Sequence, residues 1–347
     1  MSYSYNSVHS EMVEQTLLSI LACPQEEWTL ELTQKERGLL ARDLDTFEEI
    51  RKVFHPYQER LKRLYLMRSG WSILTTFYLY LLNRGEDPAS MEELHDLVLE
   101  MTEEELHVCL HLFLAEEDYE KAKDQDYWDM LQGLDLKAEE KWHILTFSHQ
   151  IVESVQDLVA LSRALVPLYQ PYLEESRRER ESFAQTLEME TILAQAPFLK
   201  DLETNLHDQS FEMFVISPWM THFVFFMMTE KVFPLLHHFV ILSSKVDQIL
   251  HSHNDLDEEN FVAILKTLSD LTRYKVLVAL TQPHAKVKDI AEDLGITSAA
   301  VSFHRQKLQN AMLLVYNLKE KNTKYDVNQL LLQDLVLKIK EDFSLED

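Results

Sequence analysis

The sequence predicts a mainly α protein: a large helical N-terminal domain with a small β element at about 211–243, then a C-terminal helix–turn–helix unit with a hairpin. Three observations predict it. Over residues 1–200 few breakers occur, and apolar residues recur at spacings of three and four. After Asp208 the apolar runs become short, β-branched and aromatic, bounded by Pro218 and Pro234. From Asp257 onward short helical patterns are punctuated by Pro283 and Gly295 and give way to two alternating strands. The predicted division is an acidic domain over 1–250, a polar linker "HSHNDLDEEN" at 251–260, and a second domain over 257–347.

Taken in order, "LYLMRSGWSILTTFYLYLLNRGED" (64–87) reads as helix ending at "NRGEDP". Residues 91–124 read as two helices, the second capped by Thr102 with Glu105 three residues on, the spacing of a capping box. Residues 140–188 continue the helical pattern, and Pro167 and Pro171 are expected to start a new helix. Arg177, Arg178 and Arg180 alternate with acids and are expected on a solvated face. "FEMFVI" (211–216), "THFVFFMM" (221–228) and "HFVILS" (238–243) read as strands, with two buried helices as the alternative. The apolar run 214–228 is too short for a bilayer and reads as buried core, or as an apolar effector pocket or pliable partner surface.

Composition narrows the function. The 347 residues hold only five glycines, no two of them close, so a phosphate-binding P-loop, a GxGxxG fingerprint and a GxSxG elbow are all absent. Two cysteines cannot build a disulfide framework or a four-thiolate zinc site, and they fit a reducing compartment. The N-terminus has neither a basic region nor an apolar stretch, so no signal peptide and no membrane association are expected, and the expected location is cytoplasmic and nucleoid-associated. His107 and His111 share a helix face and could ligate zinc, but no third ligand is evident. No nucleophile, base or cofactor motif is present. No catalysis, cofactor or metal is expected.

Charge is unevenly shared. The formal net charge is −26, yet residues 261–347 carry twelve Lys/Arg against eleven Asp/Glu, leaving 21 basic and 48 acidic residues for the rest. Within that near-neutral part, Thr297 to Lys307 contains no acid at all. An acidic domain repels nucleic acid, whereas this segment does not. Gly295 can take the left-handed conformation a sharp inter-helix turn needs, and Thr297 is a sound N-cap. Ile290, Ala291 and Leu294 are expected to face Val301 and Leu308, leaving Ser298, Ala299 and Ser302 outward on a helix slim enough for a major groove roughly 12 Å wide.

Helix, glycine turn, helix and hairpin together make a winged helix-turn-helix. The segments "LKTLSDLTRYKVLVALTQ" and "KVKDIAEDLGITSAAVSFHRQKLQNAMLLVYNLKEKNTKYDVN" resemble the ArsR-type family of bacterial transcriptional regulators over about residues 257–343. Leu268, Ser269, Asp270, Thr272 and Arg273 match its first motif; Ile290, Ala291, Leu294, Gly295, Val301, Ser302, His304 and Leu308 match its second. Leu271 stands where the family usually has proline, Phe303 where a polar or basic residue is common, Arg305 where leucine is common, and Met312 where glycine precedes the wing. Cysteines on the first helix of the motif and histidines on the last helix, which the family's metal sensors use, are missing.

The resemblance implies a homodimer, packed through the first and last helices of the domain, on double-stranded DNA with half-sites about one helical turn apart. Leu331, Leu335, Lys338, Ile339 and Phe343 form a stripe on the last helix that Leu332 and Val336 widen, in keeping with a dimer. The expected DNA-facing set is Ser298, Ala299, Ser302, Phe303, His304, Arg305 and Lys307 on the recognition helix 297–311, with Lys319, Lys321 and Lys324 on the basic wing 313–327. A small-molecule effector or partner would act at the N-terminal domain. The alternative is a winged helix that binds protein and no DNA.

Overall fold

A computed structural model describes residues 2–22, 32, 34–68, 71–115, 123–134, 136–189, 192, 210–221, 224–227, 238–254, 258–316 and 325–345. It is mainly helical, as the sequence predicts. The chain divides into two compact units: Met1–Trp28, Leu40–Leu187 and Asp208–Val246 form the first, and Thr29–Leu39, Glu188–His207 and Asp247–Asp347 the second. The expected linker at 251–260 is largely helical where described: one helix covers Val246–Asn254, and another begins at Glu258.

In chain order the helices are α1 Ser7–Thr16, α2 Gln34–Leu39, α3 Ala41–Phe54, α4 Gln58–Leu64, α5 Ile73–Asn83, α6 Met91–Glu100, α7 Glu103–Ala115, α8 Tyr127–Gly133, α9 Ala138–His149 and α10 Ile151–Thr186. There follow α11 Val246–Asn254, α12 Glu258–Ser269, α13 Leu271–Leu280, α14 Val287–Leu294, α15 Ser298–Asn310 and α16 Gln329–Phe343. The strands are β1 Ser2–Tyr5, β2 Met67–Arg68, β3 Trp71–Ser72, β4 Ser210–Ile216, β5 Val224–Met227, β6 His238–Ser243, β7 Leu314–Tyr316 and β8 Tyr325–Val327.

The first unit holds a four-stranded mixed sheet in the order β1-β4-β6-β5. β1 and β6 run parallel to β4, with Tyr5 opposite Met213 and Ile216 opposite Ser243, and β5 is antiparallel to β6. The three strands expected at 211–243 are present, β5 over Val224–Met227 among the described residues. All six residues of β6 are buried, which is why its centre, Phe239–Leu242, is an unbroken apolar run and not an alternation. Phe214, Val215, Ile216, Trp219 and Met220 are core, as expected for the start of the 214–228 run; the side chains of 222–228 lie outside the described residues.

Residues 1–200 are not wholly helical. β1, "SYSY", adds an edge strand, and β2 and β3 form a short antiparallel pair inside the expected 64–87 helix. α5 therefore starts only at Ile73, where the Ser72 hydroxyl accepts from the Thr75 N–H and reaches the Thr16 carbonyl. Thr102 and Glu105 form the expected capping box on α7: the Thr102 hydroxyl accepts from the Glu105 N–H, and the Glu105 carboxylate from the Thr102 N–H.

Two expectations on α10 fail, for one reason. The helix runs unbroken through Pro167 and Pro171. Both prolines are exposed and lie one turn apart, so the carbonyls they leave without amide donors fall on the watery side. The opposite stripe, Leu158, Leu161, Leu165, Tyr169, Leu173, Ser176 and Arg180, stays buried throughout and holds the helix together.

Arg180 belongs to that stripe. Its side chain is 2% exposed, not solvated, while Arg177 and Arg178 are exposed as expected. Arg180 donates to Glu14 Oε2 at 2.8 Å and to the Leu173 carbonyl at 2.9 Å. Fully buried Glu14 also accepts from the Ser217 N–H at 2.8 Å, the Ser217 hydroxyl at 2.6 Å and the Tyr169 hydroxyl, which in turn accepts from Trp219 Nε1. One carboxylate thus ties α1, α10 and the turn after β4 together.

Candidate nucleic-acid interface

The second unit packs α12, α13, α14, α15, α16 and the antiparallel pair β7–β8 around one core. Ile290 and Ala291 from α14 meet Val301 and Leu308 from α15 in that core, with Leu294 half-buried against it, the contact set the sequence predicts. α14 ends at Gly295, whose φ of 66° is left-handed. The Gly295 N–H reaches the Glu292 carbonyl, and the Ile296 N–H reaches the Ala291 carbonyl at 2.9 Å, the two bonds of a Schellman closure. Thr297 then caps α15, its hydroxyl accepting from the Ala300 N–H at 3.1 Å.

The end of α15 repeats the closure with a different residue. The Met312 N–H reaches the Gln309 carbonyl and the Leu313 N–H reaches the Leu308 carbonyl, and Met312 holds φ at 55°. The turn before β7, where the resemblance predicts glycine, is therefore left-handed and holds methionine. The position where it predicts proline is equally legible. Leu271 is the first residue of α13, 67% exposed, directly after the N-cap Asp270, whose ψ of 114° is already extended. A first helical residue needs no N–H donor, so either side chain serves there.

The expected DNA-facing residues fall into three groups. With Val301 and Leu308 inward, the exposed line of α15 is Ala299, Phe303 and Gln306, spaced four and three apart. Ser298 and Ser302 are half-buried along one side, and Ser302 Oγ is buried with no partner among the described residues. Lys307 lies on the other side with Nζ 4.5 Å over the Phe303 ring. His304 and Arg305 flank the buried side instead of the exposed line, each with a buried ring or guanidinium nitrogen lacking a described partner. Lys319, Lys321 and Lys324 lie outside the described residues.

Gln306 is the residue sequence reading passed over; its spacing of seven from Ala299 would have found it. Its amide donates to Asn310 Oδ1 at 3.1 Å, which fixes its orientation. The Phe303 ring also meets His304 edge-on at 5.8 Å. Burial lowers the pKa of His304, with Arg273 and Lys307 pushing the same way against Asp270. Asp270 is held below the usual carboxylate range chiefly by the Arg273 backbone N–H it caps. The Arg273 side chain reaches back to the Thr267 carbonyl at 3.1 Å, tying the end of α12 to the start of α13. Asp270 and Arg273 of the Ser-Asp-x-Thr-Arg motif thus build a joint between α12 and α13.

The described ion pairs of this unit, Arg273 with Asp270 and Lys338 with Asp342, do not involve α15. On α16, Leu335 is buried, and Leu331, Leu332 and Ile339 pack against the core. Val336, Leu337 and Phe343 stay exposed, and Phe343 is 72% accessible. Part of the expected α16 stripe therefore lacks an intrachain cover.

In the first unit the His107–His111 pair makes a different arrangement from a metal site. Both Nδ1 atoms face the Tyr127 hydroxyl, at 2.8 and 3.1 Å, and His111 Nε2 faces the Gln125 carbonyl. Cys109 between them is buried, and burial raises its thiol pKa far above normal. Among the described residues no group of three or more His, Cys, Asp or Glu could hold a metal ion, and no helix is long and apolar enough to cross a membrane. The chain matches no protein-family model, no curated protein and no solved structure.

Proposed function

We propose that the chain is an ArsR-like transcriptional regulator whose C-terminal winged helix binds operator DNA as a homodimer. One observation carries the reading. α15 stands on a glycine turn with a line of short, apolar and amide side chains outward, cations beside it and no carboxylate, in a chain of net charge −26. The cations would serve phosphates, and the outward line the base edges. The uncovered Val262 and Leu265 of α12 and Val336, Leu337 and Phe343 of α16 are the faces through which two copies would pack. The first unit would then carry the acidic surface and receive an effector or partner whose binding biases the two recognition helices.

The test is binding of purified protein to duplex DNA spanning its own coding region, at low and moderate salt, beside a Ser302→Glu/Lys307→Glu variant. Salt-sensitive binding in the wild type, lost in the variant, is expected. A folded protein that binds no duplex at low salt favours the second reading, a winged helix used on protein. The exposed Leu271, Tyr274 and Val278, one line along α13, are the observation behind that alternative.

A further inference from the structure

We infer that α15 is built for A·T base pairs: Ala299 and Phe303 take the 5-methyl groups of thymine in the major groove, and Gln306 takes the adenine edge. The inference rests on the DNA-binding reading above and gives it a substrate class.

The three residues on the exposed line have chemistries that converge. Apolar side chains such as Ala and Phe contact the thymine methyl, which adenine, guanine and unmodified cytosine lack. A glutamine amide pairs bidentately with adenine N6 and N7. Gln306 is set up for that geometry: one Nε2 hydrogen is spent on Asn310 at 3.1 Å, which leaves Oε1 to accept from adenine N6 and the second hydrogen to donate to N7. The side chains that read guanine are off the line. Arg305 sits toward the buried side, and the Lys307 ammonium is drawn over the Phe303 ring.

Phe303 itself calls for an explanation. It is 48% exposed while Val301 and Leu308 already fill the core side of the helix, so folding does not require it. An exposed phenyl forgoes roughly 1 kcal/mol of burial that a polar residue would not need. The ring is also held in place, with His304 edge-on on one side and the Lys307 ammonium above it. A positioned apolar ring beside a cation, on a helix without acids, suits a methyl group next to a phosphate better than an apolar protein surface.

The experiment needs no operator. Full-length protein is titrated into four alternating duplexes at one salt concentration: poly(dA-dT), poly(dA-dU), poly(dG-dC), and poly(dG-dC) with 5-methylcytosine. Removing the thymine methyls should weaken binding on the order of tenfold, about fourfold for each buried methyl. Methylating cytosine should strengthen binding to the G·C duplex, because that methyl occupies the same place in the groove. Phe303→Ala should cut the dT-over-dU preference from about tenfold to about fourfold, the part left to Ala299, while keeping the salt slope, and Phe303→Leu should keep most of the preference. Thermal unfolding of both variants checks that the fold is intact.

Salt-sensitive binding to all four duplexes with no methyl preference overturns this inference and leaves the DNA-binding reading standing. A methyl preference undiminished by Phe303→Ala also overturns it, because the methyls are then read elsewhere. Binding to none of the duplexes removes both readings together.

Discussion

The junction of α1, α10 and β4 in the first unit and the α14–α15 segment of the second are both rich in polar groups and use them in opposite ways. At the junction the two buried charges are matched to partners: Glu14 accepts four hydrogen bonds, and Arg180 answers with two carboxylates and a carbonyl. On α15 the cations Arg305 and Lys307 have no carboxylate partner among the described residues, and the exposed line carries no acid at all. A closed set of partners describes a lock within the chain. An open one describes a face kept for something outside it.

The largest effect expected from that contrast separates two arginines. Arg180→Leu leaves Glu14 charged and buried, and should lower unfolding stability by roughly 3–5 kcal/mol in denaturant titrations. Arg305→Leu should stay within about 0.5 kcal/mol in the same titration. Equal losses would erase the distinction between lock and open face.

Next in size is the pH response of two histidines in the first unit. Burial, with help from the Arg163 charge, lowers the pKa of His95 to about 4, and its Nε2 meets Ser162. Its folded value lies below the unfolded one, so its contribution is complete above about pH 6.5 and is lost as pH falls toward 4, on the order of 3 kcal/mol. His9 runs the other way. Its ring nitrogens face Glu212 and Asp87, and the Glu212 hydrogen bond raises its pKa. Its contribution is complete below about pH 6.5 and is lost as pH rises through the folded value. Proton NMR titration of both rings, beside stability against pH for His95→Gln and His9→Gln, checks the two signs.

Smaller effects test the two turns that flank α15. Gly295→Ala should cost about 1 kcal/mol, because a Cβ disfavours the left-handed conformation. Met312→Gly at the matching turn should return a similar amount, less whatever its half-buried side chain contributes. The smallest change is Leu271→Pro, which should stabilise the second unit by about 0.5 kcal/mol through the unfolded chain. Thermal unfolding of the three variants gives the order.

What the sequence revealed and what it concealed have physical explanations. The strands at 211–243 were legible because a strand buried on both faces must be apolar along its interior, as Phe239–Leu242 of β6 are. The Thr102–Glu105 box and the Gly295 turn were legible because each depends on a few residues in fixed spacing. β1 was concealed because a four-residue edge strand of serines and tyrosines carries little pattern. Arg180 was concealed for another reason. Its partner Glu14 lies 166 residues away, and nothing local distinguishes a buried arginine from its exposed neighbour Arg178. The exposed line of α15 was half legible: Ala299 was expected outward and Phe303 was in the expected DNA-facing set, whereas Gln306 was passed over although its spacing of seven from Ala299 puts it on the same line.

β1 pairs in parallel with β4, and the Ser4 hydroxyl bonds to the Phe211 carbonyl 207 residues further along. On a ribosome adding about 5–20 residues each second, that partner follows roughly 10–40 s later. For that interval β1 has no β4 to join, and Glu14 lacks Ser217 even once Arg180 has been made. The first unit can therefore settle only after Ser217 has been synthesised, and β1 and Glu14 have to be kept from wrong partners until then.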